Sequence, residues 1–152
     1  MIVLPILIFI LALGVDRLTK LWALANLSFE SISIFPWFEL VLDWNKGVSW
    51  NFLWAETPLG YWLLVGMIST IILAFFLFAG WRATQGYSII CEMLVLGGAV
   101  SNIIDRLWYG AVLDFIHVYI GSYSWPVFNV ADVCIVTGIS LIMLKTWKGD
   151  YE

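Results

Sequence analysis

The sequence predicts an α-helical membrane protein with four transmembrane helices and a small sheet on one face. Three observations carry that prediction. First, 62% of the 152 residues are hydrophobic and only 12% are charged, about half the share of roughly 25% usual in a soluble domain. Second, Pro58 to Gly80 contains no charge, and a helix of about 35 Å built from it exceeds the roughly 30 Å of a hydrocarbon core. Third, five acids sit in or beside apolar stretches of lipid length: Asp16, Glu92, Asp105, Asp114 and Asp132. Each carboxylate at bilayer depth costs about 2.5 kcal/mol or more, so a role beyond packing is expected of at least some of them.

The elements follow in order. A first span covers about residues 2–27, with Asp16, Arg17 and Lys20 inside its apolar run. The second covers 58–81. The third, about 88–107, contains Glu92 and ends at Asp105-Arg106, and the fourth, about 127–147, has Asp132 near its start. Between them, 28–57 and 108–126 are too polar or too short to cross. Ser31–Phe35 and Phe38–Leu42, broken by Pro36 and ending in Asn45-Lys46-Gly47, read as short strands. Gly110–Ile120 is apolar but too short to span, so it reads as a strand or an interfacial segment. No linker or repeat divides the chain, and residues 1–152 are expected to form one domain.

Orientation follows from basic residues in loops. Arg82 joins spans two and three, and Lys145 and Lys148 follow span four. The 26–57 segment holds one Lys against Glu30, Glu39, Asp43 and Glu56. Both termini are therefore expected in the cytoplasm, with 28–57 and 108–126 together on the outer face. The acids at the ends of spans one, three and four then meet on that outer side.

Several chemistries are excluded or disfavoured. The net charge of −4 comes without a basic run, which argues against nucleic acid. His117 is the only histidine, which removes a multi-histidine zinc site; no Gly-x-Ser-x-Gly elbow supports a serine triad. Gly97-Gly98 lacks the Lys-Ser/Thr ending of a phosphate loop and reads as a point of close helix packing. Cys91 and Cys134 lie in apolar segments and are expected to be free. No basic run or small-residue cleavage site marks the first span as a removed signal peptide.

Helical spacing groups the remaining polar residues. Asp16, Thr19 and Lys20 share one face, as do Asn102, Asp105 and Arg106, and likewise Asn129 and Asp132. Polar groups at lipid depth turn inward to find partners, so Asp16–Lys20 and Asp105–Arg106 are expected ion pairs. Glu92 is expected to be a buried hydrogen-bonding or snorkelling residue. Asp114 and Asp132 have no base near them in sequence. Two such carboxylates side by side share a proton near neutral pH, and that pair can activate water and protonate a leaving amine. A membrane helix contact or a proton relay uses the same residue types.

Five blocks stand in a characteristic order: Asp16-Arg17-Leu18-Thr19-Lys20, Asn45-Lys46-Gly47-Val48-Ser49-Trp50, Gly97 through Arg106, Val112-Leu113-Asp114-Phe115-Ile116, and Phe128-Asn129-Val130-Ala131-Asp132. Together they resemble the lipoprotein signal peptidase family, also called signal peptidase II. The resemblance implies a four-helix aspartyl endopeptidase of the bacterial inner membrane with a small extracytoplasmic β-cradle and no metal or organic cofactor. It implies removal of the signal peptide from a prolipoprotein, by hydrolysis just before the diacylglyceryl-modified cysteine. The family's two catalytic aspartates fall on Asp114 and Asp132; residues that support the site or hold substrate fall on Asp16, Lys20, Asn45, Asn102, Asp105, Arg106 and Asn129. Asn102 and Arg106 are expected to bind substrate carbonyls. A prolipoprotein substrate, membrane lipid and the inhibitor globomycin are the implied partners of a monomer. Two departures stand out: Arg17 where the family usually has Gln, and Val48-Ser49-Trp50 where Ala-Ala-Phe is commoner. The alternative from another class is a small proton-coupled transporter or a subunit of a membrane complex.

Overall fold

The computed structural model describes residues 2–27, 31–48, 53–54 and 57–149. Among these are four long helices: α1 (Val3–Asn26), α2 (Pro58–Thr84), α3 (Ile90–Tyr109) and α4 (Val130–Lys148). The strands are β1 (Ile32–Phe35), β2 (Phe38–Asn45), β3 (Gly47–Val48), β4 (Leu53–Trp54), β5 (Val112–Ile120) and β6 (Tyr123–Ser124). β1, β2, β5 and β6 form one antiparallel sheet in that order, and β3 pairs with β4.

Local chemistry sets the helix limits. Thr57 caps α2, its hydroxyl accepting from the Gly60 N–H at 3.0 Å, with Pro58 at the first helical position. α3 stops at Gly110, whose φ of 76° is left-handed. Asn129 opens α4 through a reciprocal capping box with Asp132. The fourth apolar run therefore begins its helix at Val130. Phe128, before the cap, instead bridges in antiparallel fashion to Ile116.

Many polar side chains are buried, and many large apolar ones are exposed. Lys20, Asp16, Asp105, Asp114, Glu92, Ser101 and Asn129 are among the largest fully buried side chains, while Leu4, Leu11, Leu18, Leu63, Phe76 and Met143 are exposed. That distribution suits a hydrocarbon solvent, in which polar groups satisfy one another inside. α2 and α4 are long and apolar enough to cross a membrane. Each of α1 and α3 carries three charged residues, and five of these six are buried within the bundle.

α3 lies against each of the other three helices, and two glycines on it explain the closeness. A Cβ on Gly97 would stand 2.7 Å from the Ala12 Cβ and 2.8 Å from the Phe9 carbonyl oxygen of α1. On Gly98 it would stand 2.5 Å from the Ala131 carbonyl oxygen of α4. This is the close helix packing the dipeptide predicts. A third contact, which the sequence pattern did not single out, places Gly138 of α4 against Val95 and the Cys91 carbonyl. Gly98→Ala is expected to lower the unfolding free energy by about 1–3 kcal/mol through overpacking against backbone that has no rotamer to yield. Thermal unfolding in detergent measures the loss, and an unchanged midpoint would refute the close approach.

The predicted strands at 31–42 and 110–120 appear as β1, β2 and β5. β2 runs on to Asn45 past a bulge between Leu40 and Asp43, and sets Asp43 opposite Asp114. Leu113 and Phe115 of β5 bury against Ala23 of α1 and Leu27 just after it, which seats the sheet on the bundle. By strand alternation Asp114 then faces the other way, towards α3 and α4.

Candidate active site

Asp114, Asp132, Asn45, Asn102 and Arg106 line a cavity of about 320 Å³, walled also by Ile68 of α2, Ile135 and Val136 of α4, and Trp125–Phe128. Asn129 joins the two carboxylates from beneath. Its Nδ2 donates to Asp114 Oδ1 at 2.6 Å, and its backbone N–H donates to Asp132 Oδ2 at 3.2 Å. The remaining oxygens are also engaged: Asn45 Nδ2 donates to Asp114 Oδ2 at 3.0 Å, and Asn102 Nδ2 to Asp132 Oδ1 at 2.9 Å. Burial, with the charge of Asp132 nearby, raises the Asp114 carboxyl to about 7, against the opposing pull of the Asn45 and Asn129 amides.

Behind this layer lies a buried charge cluster. Lys20 Nζ reaches Asp16 Oδ2 at 2.7 Å, Asp105 Oδ2 at 2.8 Å and Asn102 Oδ1 at 2.8 Å. Three donors meet three acceptors, which is the full capacity of an ammonium. Because the Asn102 oxygen is held by Lys20 and also lies 3.2 Å from Asn129 Nδ2, its NH₂ must point at Asp132. Lys20 thereby sets the amide that orients Asp132 without touching either cavity carboxylate. Asp16 completes the support: Oδ1 accepts from the Ala131 N–H at 2.8 Å and Oδ2 from Ser101 Oγ at 2.6 Å, tying α1 to the first turn of α4.

The expected Asp16–Lys20 pair is present. The expected Asp105–Arg106 pair is not. Neighbours i and i+1 on a helix diverge, so Asp105 turns to Lys20 and Arg17 of α1, while Arg106 points into the cavity and donates to the Gly47 carbonyl at 2.7 Å. Arg17, noted as a departure, thus supplies a second cation to Asp105. Thr19 joins neither acid by its side chain in these bonds; its hydroxyl donates to the Val15 and Asp16 carbonyls of its own helix. Asn45-Lys46-Gly47 is a turn in which Asn45 Oδ1 accepts from the Gly47 N–H at 3.0 Å, leaving the Asn45 NH₂ for Asp114. Glu92 lies at the far end of α3 and pairs with Arg82 at 2.8 Å. Cys91 and Cys134 are free thiols.

Sequence reasoning missed Ser101 and Tyr61. Ser101 stands four residues before Asp105, the spacing that would have placed it on the same helix face. Tyr61 of α2 donates its hydroxyl to the Arg106 carbonyl and fastens α2 to the end of α3; no spacing within one helix could reveal that. The second departure, at Ser49 and Trp50, lies outside the described residues.

The chain matches the family model for Signal peptidase (SPase) II over residues 8–148. It belongs to the signal peptidase II family. Among its relatives, a lipoprotein signal peptidase of Methylobacterium sp. (strain 4-46) is 41% identical over 139 residues, covering 88% of this chain and 82% of that one. A lipoprotein signal peptidase of Rhodopseudomonas palustris (strain ATCC BAA-98 / CGA009) is 39% identical over 147 residues, covering 92% and 89%. Two solved structures, each described as a bacterial membrane enzyme, superpose with TM-scores of 0.73 and 0.70 at 26% identity. They cover 95% and 93% of this chain, and 87% and 91% of theirs. The chain thus shares its fold with these membrane enzymes over nearly its whole length. Family membership makes the chain an aspartic endopeptidase of a bacterial membrane and disfavours the transporter reading. The acids agree with this: Asp16, Asp105, Asp114 and Asp132 belong to one connected network, with Glu92 apart from it, so they form no path along the bundle.

Proposed function

We propose that Asp114 and Asp132 are the catalytic pair with which this enzyme removes signal peptides from lipoprotein precursors. The observation that carries the proposal is the shared cavity in which Asn129 bridges two carboxylates, one of them holding its proton near neutral pH. The ionised member takes a proton from a water molecule, and the resulting hydroxide attacks the scissile carbonyl, which the protonated member polarises. Collapse of the tetrahedral intermediate breaks the C–N bond, and the dyad returns a proton to the departing amine. No fixed role is assigned to either acid, since a coupled pair titrates as a unit. Asn45, Asn102 and Asn129 hold the acids in place, backed by Asp16, Lys20 and Asp105. Arg106 steadies the Asn45–Gly47 turn and offers its remaining N–H groups to substrate carbonyls.

The bond cut is the one before the diacylglyceryl-modified cysteine, and the products are the free signal peptide and a lipidated cysteine with a free amine. All four helices cross the bilayer in a single domain of residues 1–152. In α1 and α3 the buried charges turn inward and leave apolar faces such as Leu4, Leu7, Leu11 and Leu18 to lipid. The basic residues Arg82, Lys145 and Lys148 support an orientation with both termini in the cytoplasm, with the sheet and the dyad then at the outer face. The precursor enters laterally between α2 and α4, whose apolar side chains Ile68, Ile135 and Val136 flank the cavity. Globomycin is expected to occupy the same cavity, and the enzyme is expected to act as a monomer.

The pH profile tests the shared proton. The Asp114 carboxyl is raised to about 7; as pH climbs past that value the pair gives up its shared proton, and the form able to protonate the amine disappears. kcat/KM for cleavage of a diacylglyceryl-modified precursor should therefore fall about tenfold per pH unit above that point. A flat profile to about pH 9 would refute a singly protonated dyad.

A further inference from the structure

A second polar network lies on the sheet, outside the dyad and its supports. Glu39 of β2 stands opposite His117 of β5 in the antiparallel register. Its Oε1 accepts from the Tyr119 hydroxyl at 2.5 Å and meets His117 Nδ1 at 2.8 Å. On the other side of the imidazole, His117 Nε2 meets Ser124 Oγ of β6 at 2.7 Å. Carboxylate, imidazole and hydroxyl thus run as one chain across three strands. His117 and Tyr119 lie further along β5 than Asp114, past the register shift between the Leu40–Ile116 and Asp43–Asp114 pairs.

Its position in the fold gives it a purpose. β6 has two residues, and directly after it Trp125–Phe128 form one wall of the cavity before Asn129 and Asp132 begin α4. That wall is pinned at its far end, where the Phe128 N–H donates to the Ile116 carbonyl at 3.0 Å and its carbonyl accepts from the Ile116 N–H at 2.8 Å. At its near end the backbone contributes the Trp125 N–H to the Val118 carbonyl at 2.9 Å and the β5–β6 ladder. Pro126, between the anchors, has no N–H to offer. The Ser124–His117 bond is a side-chain anchor of that near end, and Glu39 with Tyr119 fixes the imidazole that makes it. The Ser124 hydroxyl can serve this bond as donor or acceptor.

We propose that the Glu39–His117–Ser124 chain is a positioning clamp that holds the Trp125–Val127 wall of the cavity against its substrate. Its effect on substrate rests on the peptidase reading above; its effect on the wall does not. A wall that contacts substrate equally before and during the chemical step changes KM and leaves kcat alone. Ser124→Ala removes the anchor, and Ser124→Thr keeps the hydroxyl.

Two measurements on the full-length purified protein in detergent test the clamp. In amide hydrogen exchange, Ser124→Ala should speed exchange at Trp125 by about tenfold while the α3 core is unmoved, and Ser124→Thr should match wild type. In cleavage of a diacylglyceryl-modified precursor, Ser124→Ala should raise KM about 3- to 10-fold with kcat within about twofold. Unchanged exchange at Trp125 overturns the clamp, whatever the enzyme cleaves. Faster exchange with KM unaltered overturns its role in substrate binding. If wild type cleaves nothing, the peptidase reading fails by itself, and the exchange result still decides whether the clamp exists.

Discussion

Asp114→Asn and Asp132→Asn are each expected to reduce cleavage of a diacylglyceryl-modified precursor by about 10⁴-fold or more, since loss of one member of a unit removes most of what the unit does. The dyad needs two carboxyl groups that exchange a proton between water and the leaving amine, and an amide does neither. Both variants should fold. Asparagine matches aspartate in size, and the cavity side of each acid stays open. For Asp114 two effects oppose. Its raised carboxyl binds a proton more tightly in the folded than in the unfolded chain, so its contribution to stability is present below about 3.8 and is lost as pH rises towards about 7. The amide introduced by Asp114→Asn escapes that loss, but its NH₂ must face either the Asn45 or the Asn129 donor. The thermal midpoint should therefore stay near that of wild type while activity disappears. Full activity in either folded variant would defeat the assignment of the dyad.

The second large effect is expected at Lys20. Lys20→Met keeps the length of the side chain but leaves Asp16 and Asp105, both fully buried, with one ammonium fewer between them. Removing one partner from a buried ion pair costs about 3–5 kcal/mol, and here two carboxylates lose the same partner. Activity should fall as well, because only Asn129 Nδ2, at 3.2 Å, then holds the Asn102 oxygen and keeps its NH₂ on Asp132. Lys20→Arg should not rescue: a planar guanidinium does not reproduce three acceptors gathered around one nitrogen. Arg17→Gln is the contrasting case. Arg17 is 21% exposed and shares Asp105 with Lys20, so its loss should cost about 1 kcal/mol or less. Thermal unfolding and cleavage assays of the three variants in one detergent check the ranking. Equal losses for Lys20→Met and Arg17→Gln would show that the cluster is not organised around Lys20.

Much of the site was legible in the chain because polar residues in apolar helices are rare enough to be informative individually. Asp16 and Lys20, spaced i and i+4, had to share a face, and they pair as that spacing requires. Gly97-Gly98, read as a packing point, does bring α3 against both α1 and α4. The apolar run at 110–120, too short to cross a bilayer, holds the strand β5. The failure at Asp105 and Arg106 is instructive. Adjacency in sequence suggested a pair, but the helix points them to different neighbours, Asp105 to α1 and Arg106 to the turn at Gly47.

What the sequence by itself determined is the class of solvent and the inventory of reactive groups. Apolar length fixes where a helix sits in lipid, and each charge kept there must find a partner inside. These are properties of single segments, so a single chain displays them. Only the tertiary structure decided which partner each group found. That Lys20 meets Asn102 across 82 positions, that Asn129 joins Asp114 to Asp132, and that Ser124 reaches His117 depend on how helices cross and how β5 registers against β2 and β6. Hydrogen bonds are short and directional, with reach near about 3 Å. Which donors come within that reach is settled by packing between segments, and the spacing of residues along any one of them holds no record of it.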